Sequence, residues 1–381
     1  MSHPTPSGSP AVAVVGAGVI GCGIALRLAQ GGAAVTLLDP AEPGAEASGA
    51  AAGMIAPQLE DCAEGAFFEM SVKSRAMYPE FVAEIERLSG LGVDYVRCGA
   101  LRVALDDSEA AAIEAIASRQ RAAGLRAELL SAAQALELEP LLSPRIRAAV
   151  HLPDEHHVEN RRLVRALAIA STRAGATFRA KRAQRIALRG SVAIGVETAD
   201  ELIEADAVVV AAGAWSSLLD GSGLKPDAVK PMRGQIVQLD SGAALLRKSI
   251  VGEAGYLVQR SDGRLLLGST YELAGFAKRN TAAATAKILE AAIQLCPEIA
   301  ELPVTACWAG LRPYTDDHWP ILGPGPISGV FLATGHLRNG ILLAPITARL
   351  IAQAVLQGSP SADLEPFRYE RKYRATARPS K

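Results

Sequence analysis

Aromatic residues make up only 4% of the 381 residues, although 49% of the chain is hydrophobic. The apolar mass is Ala, Leu and Val, enough for a sizeable core but poor in broad rings. Excess charge is missing too. With 39 Lys and Arg against 40 Asp and Glu, the balance excludes a generally basic nucleic-acid binder and a strongly acidic solvating chain. No unit repeats, so the 35 glycines belong to neither a collagen-like fibre nor a solenoid. Cysteine is sparse and scattered (Cys22, Cys62, Cys98, Cys296, Cys307) with no C-x-x-C pair, which fits reduced thiols in a cytoplasm rather than disulfides or zinc. The apolar run AVAVVGAGVIGCGIAL (11–26) is too short to span a bilayer, and no Lys or Arg precedes it, so it is neither a signal peptide nor a membrane anchor. The first ten residues read as a frayed tail. No G-x-S-x-G, H-E-x-x-H or P-loop occurs. What remains is a globular α/β chain of about two domains, an enzyme or a cofactor-binding subunit.

Residues 11–15 read as a strand buried on both faces, followed by a glycine-rich turn, a helix to about Gln30 and a second strand over 33–38. Helical spacing over 70–88 ends at Gly90. A helix over 107–123 has Asp107 as its cap, and one over 161–174 follows Asn160. Residues 207–213 hold a buried strand. From Val229 the texture is β, with Ser261-Asp262-Gly263 as a hairpin turn. Asn280 is expected to cap the next helix, residues 321–329 form a Pro- and Gly-rich loop, and Pro345 sits in the first turn of the last helix. The basic stretch after Pro366 reads as a solvated tail. The expected organisation interleaves a cofactor domain (1–90, 150–225, 320–381) with a second domain (91–149, 226–319).

The strongest local signal is Gly16-Ala-Gly18-Val19-Ile20-Gly21 between strand and helix, with Asp39 ending the next strand. Gly16 makes the tight turn, Gly18 admits a pyrophosphate, and Gly21 lets helix and strand pack. The helix N-terminus faces phosphate, and Asp39 accepts from a ribose hydroxyl. This motif alone does not separate FAD from NAD(P). Two small-residue segments favour a flavin, the loop Ser48-Gly-Ala-Ala-Ala-Gly53-Met54 and the strand end at Gly213-Ala-Trp215. With the strand–glycine–helix at 335–342, they describe an extended cofactor touched by distant parts of the chain. The cluster His151, His156, His157 with Asp154, Glu155 and Glu159 invites a metal, but the favoured reading is a solvated loop without one.

The segments WAGLRPYTDDHWPILG (308–323) and ATGHLRNGILLAPITA (333–348) closely resemble the FAD-dependent D-amino-acid oxidase superfamily, and within it the glycine oxidases of thiamine biosynthesis. AAAGMIAPQ (50–58), HLPDEHHVENRRL (151–163), MRGQIVQL (232–239) and YLVQRSDGRLLLGST (256–270) extend the resemblance in order from Ala11 to about Phe367. It implies a Rossmann-type FAD-binding domain joined to a smaller α+β domain on a mostly antiparallel sheet. Arg312 matches the arginine that forks onto a substrate carboxylate, Tyr256 the tyrosine that assists it, and Arg338 an arginine between substrate and flavin. His336, Asn339, Gly340, Ile341 and Leu342 complete the flavin contact, with the helix start at Gly340 aimed at the ring.

Two departures bear on the site. Tyr271 stands where relatives often carry Met, and Ala183 where a valine usually faces adenine. Where sarcosine oxidases have C-x-Y-T, this chain has Arg312-Pro-Tyr314-Thr315, so the FAD is expected to be non-covalent. The implied activity is oxidation of glycine or another small amino acid or N-alkylglycine, with peroxide formed from O2. Two readings stay open beside it: a dehydrogenase or cyanide-forming subunit that passes electrons to a quinone or partner, and a non-catalytic FAD-binding subunit. A homotetramer and a hand-off to thiazole synthase are also implied. Six of the ten Tyr and Trp residues (Trp215, Tyr256, Tyr271, Trp308, Tyr314, Trp319) are expected around the substrate.

Overall fold

The computed structural model describes residues 9–60 and 64–371. Cys62, most of the expected N-terminal tail and residues 372–381 lie outside that range. The chain forms a mixed α/β structure with two principal sheets. The first has six strands in the order Ile321–Pro324, Val330–Thr334, Ala207–Val210, Ala11–Val15, Ala34–Leu38 and Thr177–Arg179. All neighbours run parallel except the first pair, which is antiparallel. The second has eight strands, in the order Val304–Tyr314, Lys230–Asp240, Arg264–Gly268, Tyr256–Gln259, Ser249–Val251, Ala100–Ala104, Ala148–Leu152, Glu128–Ser131. It is antiparallel apart from the Ser249–Val251/Ala100–Ala104 pair. Its Ala148–Leu152 strand lies across the expected domain cut at 150.

Small residues let helices close over the parallel sheet. The Val19–Gln30 helix packs on the Gly340–Gln357 and Asn160–Arg173 helices, and a Cβ on Gly23 would sit 3.2 Å from that of Ala348. Gly340–Gln357 is long and apolar enough to cross a membrane by composition, yet 67% of it is buried in this layer. A core helix passes the same test.

Pro345 is not in the first turn as expected, because the helix begins at Gly340. Its ring therefore removes an interior hydrogen bond, the one to the carbonyl of Ile341. Tyr78, fully buried on the Ala66–Ser89 helix, donates its hydroxyl to that same carbonyl. Ser74 Oγ donates to the next carbonyl, of Leu342, at 2.6 Å. Two side chains of a neighbouring helix thus satisfy the turn that proline disrupts.

Three caps move by one residue. Asp106 rather than Asp107 caps its helix, accepting from Glu109 N at 2.9 Å. Glu159 caps the Asn160–Arg173 helix, and Thr281 rather than Asn280 caps Ala282–Leu295. At two of the three, tertiary contacts hold the expected residue: Asn280 donates to Trp308 O at 3.1 Å and Asn160 to Ser48 O at 2.7 Å. The expected 321–329 loop contains the edge strand Ile321–Pro324, tolerated there because an edge does not need every N–H.

The segment around His156 is not a solvated loop. His156–Val158 is a buried strand, with His156 and His157 at 7% and 3% exposure. His156 Nδ1 shares a 2.6 Å hydrogen bond with Tyr95, and Glu155 pairs with buried Arg75 at 2.5 Å. Nor is the stretch after Pro366 a free tail at its start. Phe367 is buried against Trp319, and Arg371 binds Asp317 at 2.7 and 2.8 Å.

Two measurements check this architecture. Tyr78→Phe strands a buried carbonyl, so unfolding free energy should drop by about 1–3 kcal/mol; a variant as stable as the parent rejects the link. Burial pushes the imidazoles of His156 and His157 down to about 4 and that of His336 to about 3. Folded, they stay neutral while the unfolded chain protonates near 6.5. Stability should therefore fall as pH drops from 6.5 toward 4, by roughly 1.4 kcal/mol per pH unit per histidine. Denaturation midpoints unchanged between pH 7 and 5 exclude this coupling.

Candidate active site

A cavity of about 2250 Å³ lies between the two sheets, well above the ~300–1,000 Å³ of an ordinary small-ligand pocket. It is long enough in composition to show two ends. At one, Gly16 turns with φ +107° against Ala211, where any Cβ would overlap the Ala211 carbonyl. A Cβ on Gly21 would overlap Gly16 O, so Gly21 sits behind the wall and serves turn–helix packing. The Val19–Gln30 helix points its N-terminus at the cavity, and Ser48 Oγ accepts from Val19 N at 3.0 Å. Asp39 holds the turn itself: Oδ2 accepts from Ala17 N and Oδ1 from Ala41 N, both at 2.9 Å.

Gly18, Ile20, Gly53, Met54, Gly213 and Trp215 also border this cavity. Ala183 does so from the loop between the strands Thr177–Arg179 and Arg185–Arg189. The backbone-lined groove, the helix N-terminus and the acid at Asp39 fit an adenine dinucleotide. Bulk is excluded where its phosphates would pass, and donors are left facing inward.

The other end is charged. Arg312, on the long Val304–Tyr314 strand, donates to Thr270 O at 2.9 Å and Ser269 Oγ at 2.8 Å. Its guanidinium lies 4.7 Å from the Tyr271 ring centre, and no carboxylate pairs with it among the described residues. Arg338 is the opposite case. Glu60 grips it at 2.6–3.1 Å, and Tyr271 Oη accepts from it at 3.0 Å. Burial works against the Arg338 charge, but Glu60 and Tyr271 outweigh it and its pKa is raised. Tyr271 thus bridges the two arginines, an arrangement a methionine at that position could not make. Tyr256 lies beside this pair, and burial raises its phenol pKa against the opposing effect of Arg312. It is therefore a neutral hydroxyl donor at physiological pH.

His336, Asn339, Gly340 and Ile341 line the junction of the two ends. His336 is buried and neutral, with Nε2 3.2 Å from Thr347 Oγ1. The Gly340–Gln357 helix has no side-chain cap, so its first N–H groups face the cavity. Leu342 does not border it. It sits at 1% exposure with its side chain in the core of the helix layer. Of the six aromatics expected here, five line the cavity; Trp308 instead donates Nε1 to Ala50 O at 3.0 Å beneath Arg161.

Sequence reasoning missed Ser269, Glu60 and Gly234. A Cβ on Gly234 would overlap the Arg312 guanidinium, so the Lys230–Asp240 strand needs glycine for Arg312 to fit. The signal was present, since a glycine inside a strand pattern marks close approach. Glu60 carried none, because its partner is 278 residues away.

A dinucleotide cradle that opens onto a pocket holding an arginine with only neutral partners fits a cofactor-dependent oxidoreductase. The chain belongs to the DAO family of FAD dependent oxidoreductases, which matches residues 11–354. It is 33% identical to a glycine oxidase of Geobacillus kaustophilus, over 93% of this chain and 95% of that one. The crystal structure of glycine oxidase from Geobacillus kaustophilus superposes with a TM-score of 0.90 at 32% identity, covering 96% of this chain and all of that one. A bifunctional protein ThiO/ThiG of Trichormus variabilis is 33% identical over 94% of this chain, but the chain spans only 55% of that protein's length. An iminodiacetate oxidase of Chelativorans superposes with a TM-score of 0.85 at 28% identity, over 94% of this chain and 98% of that one. The protein is an FAD-dependent enzyme of glycine-oxidase type.

Gly234→Ala should displace the Arg312 guanidinium while leaving the cradle intact. We expect retained FAD and kcat/KM lower by about 100-fold, the scale of a ~1 Å misplacement. Normal turnover in that variant removes Gly234 from the site.

Proposed function

We propose that this enzyme oxidatively deaminates glycine or another small amino acid or N-alkylglycine. The observation that carries the reading is Arg312: a cation fixed by neutral partners only, in the cavity that holds the dinucleotide cradle. Such a fork is complementary to a carboxylate. Tyr256 donates to the same carboxylate, so the substrate is held by one end. Tyr271 and the Glu60-bound Arg338 wall the pocket on the far side, which favours a short side chain. FAD, when bound, would supply the two-electron acceptor for hydride from Cα of the neutral amine and pass the electrons to O2 as hydrogen peroxide; the imine would hydrolyse to an oxo acid and ammonia, or to the alkylamine from an N-alkylglycine. No protein acid or base is required; the residues orient the substrate and exclude water. The uncapped start of the Gly340–Gln357 helix favours negative charge building in the cavity.

Fusion of related chains to a ThiG unit supports delivery of the imine to thiazole synthesis as its use. Four cysteines are free among the described residues, and burial pushes the Cys22 and Cys296 thiols up to about 12. Inert thiols fit a reducing cytoplasm.

Anaerobic mixing with glycine, sarcosine, iminodiacetate, D-alanine and D-proline, followed by air, tests the reading. We expect the flavin to bleach with at least one and peroxide to form on aeration. Bleaching with dyes but without peroxide makes the enzyme a dehydrogenase, and bleaching by none rejects the assignment. Arg312→Ala should weaken transition-state binding by roughly 2–5 kcal/mol, read as kcat/KM; a near-normal value overturns the role given to Arg312.

A further inference from the structure

Among the described residues, Arg260 is the largest fully buried side chain, at 0% exposure. It follows the Tyr256–Gln259 strand in the hairpin turn. Its guanidinium donates to Val158 O at 2.8 Å, Ala52 O at 2.8 Å and Asn160 Oδ1 at 3.0 Å, and its Nη1 lies 3.4 Å from His157 Nδ1. Every one of these acceptors is neutral. Its Nε has no partner. Glu159, Asp94 and Asp262 act on it only at longer range, opposed by Arg264, and they are engaged elsewhere: Glu159 and Asp262 with Arg264, Asp94 with Ser261. Burial pulls its pKa down to about 10, so the positive charge persists at neutral pH.

Burying a cation without a carboxylate costs several kcal/mol. If tying strands together were the whole purpose, a neutral amide would do so more cheaply. The charge is placed behind one wall of the cavity. Ala52, Gly53 and Met54 form that wall, and a Cβ on Gly53, at φ +75°, would come 3.3 Å from Arg260 Nη2. Ala52 and Met54 also pack with Tyr256 and Ile236, which puts this wall at the substrate end rather than the adenine end. Asn160 extends the clamp by donating to Ser48 O at 2.7 Å.

We propose that Arg260 is a positioning residue for the flavin, one that fixes the Ala52–Met54 wall and whose buried charge stabilises the reduced cofactor. Hydride uptake adds two electrons and one proton to a neutral oxidised ring, leaving one negative charge. A fixed cation behind the wall, in a low-dielectric interior, lowers the free energy of that product and not of the reactant. The inference rests on FAD binding and not on which amine is oxidised.

The test therefore needs no substrate. The midpoint potential of bound FAD is measured against reference dyes in the parent, Arg260→Gln and Arg260→Lys, with FAD affinity of each apoprotein alongside. Both variants lose the fork and should bind FAD more weakly. Arg260→Gln should also be harder to reduce, by at least tenfold in the two-electron equilibrium, about 30 mV, while Arg260→Lys stays near the parent at neutral pH. Equal potentials in the parent and Arg260→Gln overturn the electrostatic role and leave a purely structural clamp. If Arg260→Gln does not take up FAD, Arg260→Lys decides. A buried ammonium loses its proton at lower pH than a guanidinium, so its potential should fall away from the parent's as pH rises. Parallel curves from pH 6 to 9 reject the proposal.

Discussion

The backbone of residues 48–53 is the seam on which both halves of the site depend. Ser48 Oγ accepts from the first helix N–H, at Val19, and Ser48 O accepts from Asn160. Ala50 O takes the Trp308 indole from the long substrate-side strand. Ala52 O takes Arg260, and Gly53 O accepts from Val158 N at 2.9 Å. A stretch of Ser, Gly and Ala has no side-chain bulk to anchor it, so its position is set by neighbours that reach its carbonyls. That dependence explains its composition. The dinucleotide groove and the arginine pocket meet across this strip, and anything larger than alanine would separate them: even at Gly310, a Cβ would come 2.6 Å from the Ala50 side chain.

Charge is distributed in the cavity by pairing rather than by number. Of the arginines that line it, Arg312 and Arg338 meet at Tyr271; Glu60 already neutralises Arg338, whereas Arg312 meets a carbonyl, a hydroxyl and an aromatic face. Of this pair, Arg312 is the one with no carboxylate partner among the described residues. Tyr271 touches both, so it couples the anchor to the wall. A neutral phenol at Tyr256 and a neutral imidazole at His336 add polarity without adding charge. The arrangement leaves one rigid guanidinium fork in the cavity without an ionic partner among the described residues.

How far the sequence could be read varied with the range of the forces involved. The strand–Gly-x-Gly-x-x-Gly–helix unit was legible because its glycines answer to contacts within a few residues, as Gly21 against Gly16 shows. The helix caps slipped by one position, since adjacent residues compete equally and distant partners break the tie: Asn280 is taken by Trp308, and Asn160 by Ser48 and Arg260. Pro345 looked like an ordinary first-turn proline because Tyr78, the group that repairs its lost hydrogen bond, lies on another helix. The histidine-rich segment looked solvated because its composition is polar, yet Tyr95, Arg75 and Arg260 bury it by meeting its hydrogen-bonding needs.

Sequence by itself determined the dinucleotide cradle, the mixed α/β class and the family, because local sterics and recurring motifs encode them. Tertiary structure alone decided which arginine keeps a free charge, where Tyr271 stands between them, that Gly234 makes room for Arg312, and that Arg260 lies buried behind the Ala52–Met54 wall. Those outcomes depend on Coulomb and packing contacts between residues tens to hundreds of positions apart, such as Glu60 with Arg338. Such pairs leave no periodicity or spacing in the chain, and they exist only once the two sheets have closed on each other.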